Sequence, residues 1–390
     1  MTTAARFGRF GGRYVAEALW APLEHVALAL DDALACGALV ERATRWLDQR
    51  VGRPTPLTPL DRLSAAHSPH ARLWVKREDL CQGGSFCVNA AVFQALLADL
   101  MGRDLLITES ATGDFAVALA SVAAALNKQV HVYMSREDIA AEPLAIARLA
   151  ALNAHVEAVD SPHRGRRAPS AEARRQWLAR QPDAFYCTSM LNSPDPYPRM
   201  LAQANRIIGV EARAQARRRN LQLAAVIAPV GSGAFAAGLL RDFIEDGGPR
   251  LIAVQAAGEG LDSEHHAASL LRGRFGVAQG TATLILQDDD ANIITPHIQA
   301  AGLANSMTGP QLAHWAEQRT IEVAAVTDQQ ALHAARALLA AEGILASLEA
   351  AHAVAHALEL LPTLPDGADV IVGLSGEGSR DLGRIRGLDD

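Results

Sequence analysis

Short apolar or β-branched runs alternate along the chain with longer stretches whose apolar residues recur at helical spacing. The runs predict strands at Leu73–Arg77, Asp104–Thr108, Gln129–Tyr133, His155–Val159, Ala224–Ala228, Arg250–Gln255 and Asp369–Gly373. Between them, Val88–Met101, Phe115–Leu126, Ala234–Glu245, Asp328–Ala341 and Glu349–Leu361 predict amphipathic helices. Strands separated by helices of this length need crossover connections, which give parallel sheets covered on both faces. Two such series, about 70–200 and 220–380, predict an α/β protein of two lobes with a cleft between them. Ligands of such folds bind beyond the carboxyl ends of the strands.

Composition agrees with a folded, two-domain chain: 390 residues, 49% apolar and 20% charged. No apolar run approaches the roughly 20 residues that span a bilayer, and the opening MTTAARFGRFGGRYV has no apolar leader core. A net charge of −7 and a pI of about 6.0 argue against a nucleic-acid binder. The expectation is a cytoplasmic enzyme acting on a small molecule, with no nucleic-acid or membrane partner. Cys36, Cys81, Cys87 and Cys187 form no CxxC and no zinc-type cluster, so neither a disulfide framework nor a metal is expected. The polar run Gln287–Asn292 reads as a loop, and the basic segments Ser161–Arg175 and Arg213–Asn220 read as solvated faces. Lysine changes the picture more. Only Lys76 and Lys128 are present among the 36 basic residues, so a mechanism that needs an amine has two candidates.

Several residues stand where chemistry is done in α/β proteins. Gly231-Ser232-Gly233-Ala234-Phe235 follows a strand and opens a helix, a place for an anion or for close packing. Ser375 ends the last strand, Glu109 ends another, and Glu349 opens a helix; strand-end carboxylates are acid/base candidates. Cys87 follows a glycine turn at a helix start, where a thiol is either activated or simply buried. His265 and His266 are adjacent, face different directions and read as surface or capping residues.

The ordered motifs FGRFGGRYVAEAL, RPTPL, VKREDL, DPYP, AAGEGL, HAASL, ILQDDD, AAGL, LEAAHA and LSGEGSRD, spread over about residues 7–382, resemble the tryptophan synthase β subunit. The resemblance implies the two-lobed fold type II architecture of pyridoxal-phosphate (PLP) enzymes. It also implies a homodimer, an α-like partner, and chemistry joining L-serine to indole. Lobes are expected at 53–202, with a mobile subdomain about 101–190, and at 1–52 plus 203–390.

At the position of the family's Schiff-base lysine stands Cys87, preceded by Phe86 and followed two residues later by Asn89. The family's carboxylate-gripping loop corresponds to Glu109, Ser110, Thr112, Gly113, Asp114 and Phe115; its phosphate loop to Gly231, Ser232, Gly233 and Phe235; its closing aspartate to Ala304. An arginine at the family's α contact corresponds to Ala141, whereas Arg167 keeps a charge nearby. Glu109, Glu349 and Ser375 stand where the family has its acid/base glutamate, a cofactor-flanking glutamate and a pyridine partner. These matches imply catalysis by Glu109, Cys87 and Ser375, with the other residues binding substrate and no cofactor. The activity expected is a PLP-independent cyclisation, isomerisation, elimination or condensation of an aromatic, indole-like metabolite. The alternatives are a non-catalytic regulator of a tryptophan synthase subunit and an atypical PLP-dependent β chain.

Overall fold

Strand pairing sorts the chain into three sheets. The computed structural model describes residues 5–160, 167–244 and 248–387; the start of the basic segment at 161–166 and Glu245 lie outside them. In chain order the strands are β1 (Arg6–Phe7), β2 (Phe10–Gly11), β3 (Leu57–Pro59), β4 (Arg72–Arg77), β5 (Leu105–Glu109), β6 (Gln129–Ser135) and β7 (His155–Val159). They continue as β8 (Ala184–Cys187), β9 (Leu223–Pro229), β10 (Arg250–Gly258), β11 (Arg274–Ala278), β12 (Thr281–Ile285), β13 (Glu322–Thr327) and β14 (Asp369–Leu374). One sheet runs β7-β6-β5-β8 and a larger one β13-β10-β9-β14-β4-β3. Both are parallel except where β3 pairs antiparallel with β4. A small antiparallel sheet, β1-β2-β12-β11, joins the amino-terminal segment to residues 274–285.

The predicted strands all form, because their Val, Ile, Leu and Ala side chains are covered by helices on both faces. Leu106, Ile107, Val226, Ile227 and Ile371 are fully buried. The helix Cys87–Leu100 is buried nearly all round, from Cys87 to Ala98, and packs on the helices Ala38–Val51 and Asp114–Ala125. Each of its large apolar side chains, such as Leu96 and Leu97, contributes about 1.5–3 kcal/mol. Among the described residues no helix is long and apolar enough to cross a membrane.

Sheet membership cuts across the expected lobe boundaries. β3 and β4, expected with the first lobe, belong to the large sheet: β4 runs parallel to β14 from Arg72↔Asp369 to Arg77↔Leu374. The helices Trp20–Ala35 and Ala38–Val51, expected with the second lobe, pack instead on Cys87–Leu100 and share its core. Sheet register and buried contacts, rather than nearness in sequence, decide membership.

Candidate active site

The carboxyl ends of both parallel sheets converge on two cavities. The larger, about 1250 Å³, is bordered by Glu109 at the end of β5, Tyr186 and Asn192 at and beyond β8, Gly258 at the end of β10 and Thr327 at the end of β13. A narrower cleft of about 120 Å³ opens where β9, β14 and the start of the helix Cys87–Leu100 meet. Arg380 borders both.

Glu109 is 2% exposed. Tyr186 Oη donates to its Oε2 at 2.7 Å and Thr188 Oγ1 to its Oε1 at 2.7 Å. Burial pushes the Glu109 carboxyl above its ordinary range; the two hydrogen bonds and nearby Arg174 counteract this only in part. Burial and the Glu109 charge also raise the Tyr186 phenol well above its ordinary value, so Tyr186 remains a donor.

The remaining predicted residues divide. Phe86, Cys87, Thr112, Asp114, Phe115, Gly231, Ser232, Gly233, Phe235, Glu349 and Ser375 border the narrow cleft, whereas Glu109 and Ala304 border the large cavity. Of the expected trio, Glu109 borders the large cavity and Cys87 and Ser375 the narrow cleft, with Arg380 on the wall between them. Asn89 borders neither. Its Oδ1 accepts from Arg53 Nε at 3.1 Å and its Nδ2 donates to Glu78 at 3.3 Å, in a buried cluster with the Arg53–Glu78 ion pair. Ser110 accepts from Gly113 N at 2.9 Å, shaping the turn that Gly113 begins at φ +80°. Asp114 is not a bare carboxylate, since Arg380 Nη1 pairs with it at 2.8 Å and Thr112 Oγ1 donates to it at 3.1 Å.

Arg380 was not foreseen. Its Nη2 also pairs with Glu349 Oε1 at 2.9 Å, where Gly302 N donates at 2.7 Å. Burial opposes ionisation of Glu349, but Arg380 and the backbone outweigh it and hold the carboxyl below its ordinary value. Burial together with the Glu349 charge pushes Asp381 up to about 6. The glycine loop packs tightly: a Cβ on Gly231 would lie 2.5 Å from Gly302 O. The Phe86 and Phe235 rings meet edge-on with centroids 5.1 Å apart, and Phe235 lies against Gly373.

Two further residues of the large cavity were also missed. Asn192 Nδ2 donates to Met307 O at 3.2 Å, which leaves its buried Oδ1 without a partner. Arg174, expected on a solvated face, turns into the cavity from the helix Arg167–Ala179. The spacing Ser170, Ala173, Trp177, all buried, marks the inward face of that helix and was the available signal. His265 borders the same cavity, 3.1 Å from Glu259.

A family model described as "Pyridoxal-phosphate dependent enzyme" matches residues 49–376. The chain is 39% identical over 383 residues to a tryptophan synthase beta chain of Xanthomonas campestris pv. campestris (strain B100), covering 98% of this chain and 94% of that one. It is 39% identical over 380 residues to that of Xylella fastidiosa (strain M12), covering 97% and 94%. Among solved structures, an O-ureido-L-serine-bound mutant of O-ureido-L-serine synthase has the same fold, with a TM-score of 0.64 and 21% identity over 86% of this chain and 90% of that one.

The family description overturns the expectation of no cofactor: it points to pyridoxal phosphate. The residues present do not fit a lysine-linked form of that group. Cys87 stands at the cleft, Lys76 Nζ is buried on Glu211 at 2.6 Å and Thr55 O at 2.8 Å, and Lys128 pairs with Asp99 and Asp104. The 120 Å³ cleft, with its paired phenyl rings, is also smaller than the roughly 300–1000 Å³ of small-molecule sites. The family model over residues 49–376, the parallel sheets and relatives 39% identical over nearly the whole chain agree: the chain belongs to the pyridoxal-phosphate dependent enzyme family and is similar to its tryptophan synthase beta chains.

Proposed function

We propose that the chain is an acid/base enzyme that transforms a small, indole-like aromatic substrate in the large cavity, with Glu109 as proton donor and acceptor. The observation that carries this reading is a buried carboxyl of raised pKa, held by Tyr186 and Thr188 at the wall of a cavity of about 1250 Å³. General acids working near neutral pH are tuned in this way. Asn192 supports an N–H-bearing ring: it borders the cavity, and its buried Oδ1 has no donor among the described residues.

Cyclisation, isomerisation, elimination and condensation on such a ring share proton delivery to carbon or proton removal from it. Neutral Glu109 delivers the proton; the carboxylate, stabilised by its two hydroxyl donors, takes one back. The beta-chain designation of the relatives supports an α-type partner for this chain as well.

Deuterium exchange at C3 of indole in D₂O, followed by proton NMR, isolates this step. The wild-type protein is expected to accelerate exchange, and Glu109→Gln to lose about 10²-fold or more of the acceleration. No acceleration by the wild type, or equal exchange by both proteins, would contradict the reading.

A further inference from the structure

Arg167, Arg174, Arg380 and Arg384 border the large cavity; Arg167 is exposed, whereas Arg174 is half-buried and held by neutral acceptors. Arg174 Nε donates to Ser170 O at 3.1 Å, Nη1 to Gln279 O at 3.2 Å, and Nη2 to Gln279 Oε1. All these acceptors are neutral, and among the described residues no carboxylate lies within ion-pair distance of Arg174. The contrast with its neighbours is clear: Arg380 is matched by Asp114 and Glu349, and Arg384 by Asp381. A guanidinium has five N–H donors in a fork that fits a carboxylate. Three are engaged, which leaves two for a ligand.

We infer that Arg174 binds the carboxylate of an aromatic acid, so that the substrate class of the large cavity is anionic. The inference rests on the proposed function and names the charge its substrate carries. Gln279, which follows β11 and also borders the cavity, clamps the guanidinium before any ligand arrives, which reduces the ordering cost of binding. Asp138, Glu142, Glu259 and Asp328 also border the cavity, and Glu109 is the buried carboxyl whose charge acts on and is acted on by Arg174. Burial favours its neutral form, so an incoming carboxylate meets less opposing charge. A substrate held by its acid group at Arg174 would keep its ring in the cavity that Glu109 and Asn192 also border.

Isothermal titration of the full chain with indole-3-acetate and its neutral isostere indole-3-acetamide tests this. The wild type is expected to bind the acid about tenfold or more tightly than the amide. Arg174→Leu is expected to abolish that preference, bringing the acid and amide affinities to within about twofold of each other. Arg174→Gln, which keeps an amide to meet Gln279, serves if the leucine variant does not fold. Equal wild-type affinities, or a preference that survives loss of the arginine, would overturn the anion site while the aromatic reading stands. Binding of neither probe to the wild type would overturn the aromatic reading itself.

Discussion

The phenol of Tyr186 donates to Glu109 Oε2 at 2.7 Å, and burial has raised the pKa of both groups. The bond favours the carboxylate, opposing the burial that favours the acid. Tyr186→Phe removes it, so the Glu109 pKa should rise further. Indole exchange driven by the neutral acid falls as Glu109 ionises, so its alkaline limb should move to higher pH in this variant. The pH–rate profile checks this; an unmoved limb would mean that Glu109 does not control the reaction.

The same carboxyl makes stability depend on pH. Its folded pKa lies above the ordinary 4.5, so its stabilising contribution is complete below that value and is lost as pH rises through the folded pKa. Glu109→Gln lacks this dependence. Urea midpoints should therefore show the wild type losing ground to the variant as pH rises above 4.5. A constant difference would indicate an unshifted carboxyl.

Asn192 makes a specific demand on the ring. An indole N–H can satisfy its buried Oδ1, whereas the oxygen of benzofuran cannot. Leaving such a group unmet costs about 1–3 kcal/mol, so the wild type should prefer indole about tenfold in a binding titration. Asn192→Leu should remove that preference.

Arg380 joins Asp114, at the start of the helix Asp114–Ala125, to Glu349, in the first turn of the helix Leu348–Leu360. Arg380→Ala leaves Glu349 buried without its cation, and breaking such a pair costs about 3–5 kcal/mol. Asp114 is partly exposed and adds little. Thermal unfolding should report a loss of this order, with Asp114→Asn far milder.

Much of the parallel fold was legible because β-branched and apolar runs of five or so residues leave a period that a sequence shows. The strand at His155–Val159 forms as predicted. β8, only AFYC, and β1 and β2, two residues each, are too short to carry a period. Lobe membership depended on β4 pairing with β14 nearly 300 residues away, which no local pattern encodes. Glu109 was legible as a strand-end carboxylate. Its separation from Cys87 was not, because that depends on which strand ends face which cavity. Arg174 was hidden by its basic surroundings, and Asn192 by lying in a loop. The expectation of no cofactor rested on Cys87, on the lack of another suitable lysine, and on the altered loops at Asp114-Phe115 and Ala234-Phe235; the family to which the chain belongs corrected it.

The most direct measurement is a carboxyl ¹³C NMR titration of labelled protein, with the Glu109 signal assigned by its disappearance in Glu109→Gln. The account predicts a midpoint above 4.5, so that Glu109 keeps a proton where an exposed glutamate has lost it. A midpoint at or below 4.5 would contradict it, because the large cavity would then hold a permanent carboxylate with no proton to give.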